Sequence, residues 1–335
     1  MQAMSAGHAH PFDALTPDVV LDALASVGLA GDGRLTALSS YENRVYLAHL
    51  EDQAPVVVKF YRPGRWSPAQ IEEEHSFAMT LTEQEVPVVA PLSLQARTLH
   101  QHAGFAFSVS PRRGGRYPEL DDPEVLEWVG RFLARLHNVG AKQPFKVRPA
   151  LDVDTFGQAS LDWLLAHGQL PPEARDRWQQ AAEAALEATR AAWAATPAAT
   201  LRLHGDCHPG NILWTPTDLP QGGPHFVDLD DARQGPAVQD LWMLLSGDRA
   251  ARQRQLGWLL DGYETLRELD RRELALIEPL RTLRLMHYSA WLARRWDDPT
   301  FPIHFPWFGT ASYWLEQAQT LWDQVAAMEE PPLVA

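Results

Sequence analysis

The pattern of apolar residues changes about a third of the way along this chain of 335 residues. Before residue 108, the apolar runs at 34–38, 44–50 and 56–60 are short and separated by polar turn residues, which is typical of strands. One helix is predicted in this part, beginning at Pro68 with Ser67 as its N-cap. After a stretch rich in glycine and proline, most apolar residues recur at helical spacing. The sequence therefore predicts an α+β chain in which a β-rich unit precedes a mainly helical one.

The charge and cysteine content exclude several classes of protein. Lys and Arg number 29 against 43 Asp and Glu, a net charge of −14, so the chain lacks the positive charge that attracts nucleic acids. One cysteine cannot form an internal disulfide, which fits a reducing compartment. No run approaches the roughly 18 apolar residues of a membrane helix, and the N-terminal 15 residues do not resemble a signal peptide. We expect a cytoplasmic protein that binds neither nucleic acids nor membranes.

The stretch LHGDCHPGNILW, residues 203–214, concentrates polar side chains and the single cysteine between aliphatic residues. A structural zinc site is one interpretation, but no second Cys/His pair follows at a matching spacing. A thiol nucleophile is another, although Cys207 and His208 are sequence neighbours, and such neighbours on a loop seldom face one another. A third interpretation is a loop whose polar groups only cap the backbone.

A fourth interpretation combines Asp206 and Asn211 with Asp228, which follows the apolar run HFV. An aspartate can accept a hydroxyl proton, while an asparagine and a second aspartate can hold Mg²⁺ near the phosphates of a nucleotide. Lys59, at the end of the run VVVK, could then contact the α- and β-phosphates. The spacing is that of a protein-kinase catalytic loop, with Gly205 where an arginine usually stands. This pattern favours phosphoryl transfer.

The motif HGDxxxxN followed by an acidic D-x-D resembles the aminoglycoside phosphotransferase and choline kinase superfamily, as does LARLHN at 133–138. The ordered blocks SYENRVY, VVKFYRPGRW, HGDCHPGNILW, FVDLDDARQGPAVQDLWMLL and FPWFGTASYW, from about residue 40 to 314, resemble the bacterial stress response kinases, which are serine/threonine protein kinases of this fold. The resemblance implies a two-lobed, protein-kinase-like fold. Residues 1–107 would form a nucleotide-binding N-lobe, 108–116 a hinge, and 117–335 a helical C-lobe with the catalytic loop.

The resemblance also implies roles for the residues of the loop. Asp206 matches the catalytic base, Asn211 matches a metal ligand, and Asp228 matches the metal-binding aspartate of the catalytic centre. Asp230 and Asp231 are alternative metal ligands, or they simply face solvent. Asp240 resembles an aspartate that braces the catalytic loop.

The nucleotide-binding residues come from the first part of the chain. Lys59 matches the phosphate-binding lysine, and Glu74 is the expected helix partner of that lysine, with Glu72 and Glu73 as alternatives. Ser40 lies in the connection that the resemblance assigns to ATP, although a G-x-G-x-x-G motif is absent there.

The resemblance implies an ATP- and Mg²⁺-dependent serine/threonine protein kinase of a bacterial stress response, capable of autophosphorylation and expected to be a monomer. One alternative is a small-molecule kinase whose acceptor is an aminoglycoside, a choline-like alcohol or a sugar, because one fold supports many acceptors. Another is a pseudokinase that binds nucleotide as a scaffold.

Overall fold

The computed structural model describes residues 10–334. The expectation that the chain lacks a signal peptide rests largely on residues 1–9, which lie outside the described residues. The described chain divides into two compact units, each built from more than one stretch. The first comprises 10–75, Ala90–Arg112 and Arg295–Pro306, and the second comprises Ser76–Val89, Arg113–Arg294 and the chain from Trp307 onwards. The lobe and hinge boundaries given above stay a prediction.

Two helices, rather than the one that the sequence predicts, lie before residue 108, and the first of them precedes the strands. The strands are β1 (Gly31–Leu38), β2 (Arg44–Leu50), β3 (Gln53–Phe60), β4 (His100–His102), β5 (Phe105–Pro111), β6 (Thr200–Arg202), β7 (Ile212–Thr215), β8 (Gly223–Phe226) and β9 (Gln234–Pro236). The α-helices are α1 (Pro17–Ser26), α2 (Pro68–Glu83), α3 (Pro123–Gly140), α4 (Ala159–His167), α5 (Pro172–Ala195), α6 (Gln239–Trp242), α7 (Arg249–Tyr263), α8 (Ile277–Arg294), α9 (Thr300–His304) and α10 (Ala311–Glu329). The predicted combination of a β-rich first part with a mainly helical remainder is confirmed.

The first unit is built on an antiparallel sheet of five strands in the order β1-β2-β3-β5-β4. Its core is made of alternating residues of the central strands together with one face of α1, all with little or no exposed surface, and includes Val20, Leu24, Ala48, Val58, Phe60, Phe107 and Val109. Because side chains alternate across a strand, Lys59 lies on the opposite face of β3 from Val58 and Phe60.

Helix α2 begins where the sequence predicts. The Ser67 Oγ accepts a hydrogen bond from the Gln70 backbone N–H at 3.3 Å, and the Gln70 side-chain Oε1 accepts one from the Ser67 N–H at 2.9 Å. This reciprocal pair satisfies donors that the first turn of a helix leaves without intrahelical partners.

The second unit is mainly helical, and two of its helices meet backbone to backbone. A Cβ atom on Gly130 of α3 would lie 1.9 Å from the Leu259 carbonyl oxygen, and one on Gly262 of α7 would lie 1.9 Å from the Glu127 carbonyl oxygen. Glycine at both positions therefore permits the close approach of α3 to α7. Within residues 10–334, no helix has both the length and the apolar character that crossing a membrane requires.

Two short antiparallel ribbons interrupt the helices of the second unit. Strand β6 pairs with β9, and β7 pairs with β8 in a register that places Ile212 opposite Phe226. The segment between β6 and β7 contains the HGDCHPGN motif, so both of its ends continue into paired strands.

Candidate active site

The loop from Leu203 to Asn211 is fixed at its two ends and within its own turn. The Leu203 N–H donates to the Arg233 carbonyl at 2.8 Å, which continues the pairing of β6 and β9. A short 3₁₀ turn, Pro209–Asn211, precedes β7, and within it the Asn211 N–H donates to the His208 carbonyl at 2.9 Å. The polar side chains of the motif are therefore held on ordered backbone.

Asp240 braces the start of this loop, as the resemblance implies. Its fully buried carboxylate accepts hydrogen bonds from the backbone N–H groups of His204 at 2.8 Å and Gly205 at 2.9 Å. The His137 Nε2 lies 3.1 Å from the same carboxylate, and His137 Nδ1 lies 2.8 Å from the Tyr263 hydroxyl. The LARLHN motif thus contributes to the support of the loop through His137.

Gly205 adopts a backbone conformation that requires glycine. Its φ is +86°, and a Cβ atom there would lie 2.1 Å from the Asp231 carbonyl oxygen. An arginine, the usual residue at this position of kinase loops, could not be accommodated without moving the backbone. The departure from the kinase pattern is therefore explained by the close approach of the Asp231 segment.

The partly buried Asp206 carboxylate has a basic side chain near each of its oxygens. Arg284 of α8 forms an ion pair with Oδ1, and the Nε2 atom of His208 lies 3.5 Å from Oδ2. Burial lowers the pKa of His208 below its ordinary value, which favours its neutral form. Arg284 has no signal in the sequence, because no local pattern distinguishes an arginine of this helix from a solvated one.

Asn211 and Asp228 lie at the same end of the β7–β8 ribbon. The Val227 N–H donates to the Asn211 carbonyl at 3.0 Å, which joins the two residues' backbones. The Asn211 Nδ2 donates to the Asp206 carbonyl at 3.0 Å, so its Oδ1 faces away from that bond. Asp228 is exposed and has the left-handed conformation, with φ 60° and ψ 62°. Strand β8 ends at Phe226, because this conformation at Asp228 cannot continue a strand.

These two side chains suit a hard cation. Mg²⁺ prefers carboxylate and carbonyl oxygens and keeps several water ligands, so a site of one carboxylate and one amide oxygen fits it. Among the described residues, no group of three or more His, Cys, Asp or Glu could hold a metal ion. Asp230, one of the alternative ligands, is buried, and its carbonyl accepts a hydrogen bond from the Arg148 Nη2. Because Asp228 is exposed and Asp230 is buried, Asp228 is favoured as the metal ligand.

The surroundings of Cys207 and His204 indicate that both residues have structural roles. The Cys207 thiol is fully buried, and burial raises its pKa well above the ordinary value, helped by the charges of Asp240 and Asp206. A thiol that stays protonated is a poor nucleophile and a poor metal ligand. The His204 Nε2 lies 2.9 Å from the Val227 carbonyl, which links the loop to the residue before Asp228.

In the first unit, Lys59 and Glu74 are connected through aromatic and polar groups. The Lys59 ammonium lies 5.3 Å from the centre of the Tyr61 ring, and the Tyr61 hydroxyl lies 2.7 Å from the His75 Nε2. His75 Nε2 is in turn 3.7 Å from a carboxylate oxygen of Glu74. Glu74 is buried, in contrast to the two glutamates that precede it. The pairing of Glu74 with Lys59 stays a prediction.

Ser40 lies in the connection between β1 and β2, as expected, and is half-exposed there. None of residues 39–43 has a positive φ, so this connection needs no glycine. Its contact with a nucleotide stays a prediction.

Comparison with known proteins agrees with this arrangement. Residues 34–277 match the model of the phosphotransferase enzyme family. The stress response kinase A of Escherichia coli (strain K12) is 47% identical over 325 residues, which cover 97% of each chain. The serine/threonine protein kinase RdoA of Salmonella typhimurium (strain LT2) is 47% identical over 326 residues, again 97% of each chain.

Among solved structures, the amicoumacin kinase hAmiN in complex with AMP-PNP, Ca²⁺ and Ami has a TM-score of 0.69 at 19% identity, covering 95% of this chain and 94% of that one. This likeness confirms the kinase-like fold. The family is assigned from the extent of the family match and from the sequence identity to the two kinases named above. The chain belongs to the phosphotransferase enzyme family and is a phosphotransferase that acts on a hydroxyl group.

Proposed function

We propose that this protein is an ATP- and Mg²⁺-dependent serine/threonine protein kinase. The observation that carries the proposal is the Asp206 carboxylate, positioned by Arg284 on a loop that Asp240 braces. The Asn211 side chain is hydrogen-bonded to the Asp206 carbonyl, and Asp228 lies at the same end of the β7–β8 ribbon as Asn211. The name of the RdoA relative supports a protein acceptor. We place the protein in the cytoplasm as a monomer that can phosphorylate itself, and in the stress response for which several relatives are named.

Asp206 has the chemistry of a general base. The acceptor oxygen forms a bond to the γ-phosphorus of ATP, the bond from that phosphorus to the bridging oxygen breaks, and ADP leaves. The hydroxyl proton passes to the Asp206 carboxylate. Arg284 keeps that carboxylate in one orientation, which is a positioning role. Fixed geometry of this kind is a main source of rate in phosphoryl transfer.

Asn211 and Asp228 are the residues that would hold Mg²⁺, through the Asn211 Oδ1 and the Asp228 carboxylate. When bound, the ion supplies positive charge that neutralises the phosphates. In the first unit, Lys59 and Ser40 are the residues that would contact the nucleotide phosphates. Glu74 would orient the Lys59 ammonium.

The acceptor is tested by incubating the purified protein with γ-labelled ATP, Mg²⁺ and three kinds of acceptor in parallel: a generic protein substrate, a panel of amino alcohols and a panel of aminoglycosides. We expect label on serine or threonine of the protein substrate, and on the enzyme itself. Label confined to a small molecule would overturn the protein acceptor but keep the phosphotransferase. The same incubations with Asp206→Asn measure any transfer that does not depend on the loop.

A further inference from the structure

The connection between β1 and β2, residues 39–43, receives several hydrogen bonds from Arg62, which follows β3. The Arg62 side chain donates to the carbonyl oxygens of Glu42 at 2.9 Å and Tyr41 at 3.2 Å. The Arg62 backbone N–H donates to the buried Asn43 Oδ1 at 3.0 Å. The backbone of this connection is therefore fixed from the side of the sheet.

A second set of contacts comes from Arg295–Pro306, a segment distant in sequence, which we call the returning segment. Arg295 forms a bidentate ion pair with the Glu42 carboxylate, at 2.6 and 3.0 Å. The Tyr41 ring packs edge-on against His304 and Phe305, with ring centres 5.1 and 5.0 Å apart. Two consecutive residues of the connection thus depend on the returning segment.

Asp298 of the returning segment also holds Arg62. Its buried carboxylate accepts a hydrogen bond from the Arg62 Nη2 at 2.7 Å and one from the Thr300 N–H at 3.0 Å, and it lies 2.6 Å from the His10 Nε2. Burial alone would raise the pKa of Asp298, but the hydrogen bonds from Arg62, Thr300 and His10 hold it below its usual range. Asp298 therefore stays ionised and keeps Arg62 in place.

We propose that the returning segment is a positioning device for the β1–β2 connection and thereby sets the affinity for ATP. The inference rests on the proposed function, because it concerns the nucleotide that this connection would contact. The connection contains no glycine, and none of its residues adopts a left-handed backbone conformation that would fold it over the phosphates. Ion pairs that arrange it in advance reduce the ordering that binding would otherwise require. Arg295, Asp298 and Arg62 act through the connection and are positioning residues.

The test uses Arg295→Gln in the full-length protein, with a non-hydrolysable ATP analogue and Mg²⁺ as the probe in calorimetry. Loss of hydrogen bonds between charged groups predicts a Kd for the analogue that is about 10- to 100-fold weaker. The turnover number at saturating ATP should change by less than about twofold, because nothing at Asp206 is altered. Asp32→Asn is the matched control, because it removes an exposed ion pair with Arg34 on the same sheet, away from the connection. It should leave both values unchanged.

Tyr41→Ala provides a second variant, because a side chain that is 40% exposed can be truncated without a large effect on folding. This variant should also raise the Kd of the analogue. An unchanged Kd in both variants, whether or not the melting temperature falls, would overturn the inference and leave the ion pairs a purely structural role. A wild-type protein that binds no nucleotide would overturn the proposed function and this inference together, so the two failures are distinguishable.

Discussion

At the scale of single residues, the contact between Arg284 and Asp206 joins side chains that are 78 positions apart in the sequence. Arg284→Ala frees the Asp206 carboxylate to rotate without altering the loop backbone. We expect the turnover number to fall by about 10- to 100-fold, the equivalent of one charge-assisted hydrogen bond, while nucleotide affinity stays within a few-fold. Steady-state kinetics with ATP and a protein substrate measure both values.

Arg281→Ala is the control for this prediction, because Arg281 lies one turn earlier on α8 and pairs with Glu278 rather than Asp206. Arg284→Lys, which keeps the charge, should recover part of the rate. An Arg284→Ala enzyme with wild-type turnover would remove Arg284 from the mechanism.

Substitution of Asp228 should impair metal binding, whereas substitution of Asp206 should impair turnover. Asp228→Ala should abolish the Mg²⁺-dependent part of nucleotide affinity, because Asn211 alone is a neutral ligand. Calorimetry with a non-hydrolysable ATP analogue, with and without Mg²⁺, measures that part. If Asp228→Ala keeps it and Asp230→Asn loses it, Asp230 rather than Asp228 is the metal ligand.

At the scale of elements, the loop geometry depends on the absence of a side chain at Gly205. Gly205→Ala should lower activity strongly and destabilise the protein by about 1–2 kcal/mol or more, because alanine at positive φ is strained and its Cβ would meet the Asp231 carbonyl. Gly257→Ala in α7 is the control, because no atom lies within 4 Å of its Cβ position. It should be neutral or stabilising. Thermal unfolding and initial rates compare the two variants.

Elements with local signals could be predicted from the sequence. The strands around Lys59 and the start of α2 at Pro68 follow from β-branched runs, turn residues and an N-cap, which act within a few positions. The loop motif identifies Asp206, Asn211 and Asp228 as candidates, and their catalytic and metal-binding roles stay predictions.

Contacts between distant parts of the chain could not be predicted in this way. The Arg284 contact with Asp206 and the Arg295 contact with Glu42, 253 positions apart, depend on tertiary packing that no local pattern encodes. The end of β8 at Phe226 has no local signal either, since apolar residues continue to Val227 and only the backbone of Asp228 ends the strand.

At the scale of the whole molecule, two carboxyl groups give stability a defined pH dependence. Burial raises the pKa of Glu273 to about 7 from 4.5, so the native state binds more protons than the unfolded state between these values. Stability therefore falls as pH rises through this window, by about 3 kcal/mol in all. The pKa of Asp298 is lowered, so its contribution is complete above its ordinary value near 3.8 and is lost as pH falls below that value.

The maximum of stability is therefore expected near pH 4–5 from these two groups. Denaturant unfolding at pH 5 and pH 8 measures the fall in the free energy of unfolding on the alkaline side of this maximum. In Glu273→Gln, which has no carboxyl to ionise, the difference between the two pH values should shrink. A difference as large as in the wild type would assign the pH dependence to other groups.

In the proposed function, residues of the Asp206 loop promote transfer of the γ-phosphoryl group of ATP to a protein hydroxyl. The most direct test is the initial rate of label transfer from γ-labelled ATP to protein serine and threonine in wild type and Asp206→Asn, at ATP concentrations that saturate both. We expect a rate lower by roughly 10²–10⁴ in the variant, the usual contribution of a general base, with nucleotide affinity within a few-fold of wild type. If Asp206→Asn transfers label at the wild-type rate, Asp206 is not the general base and the loop is not the site of transfer.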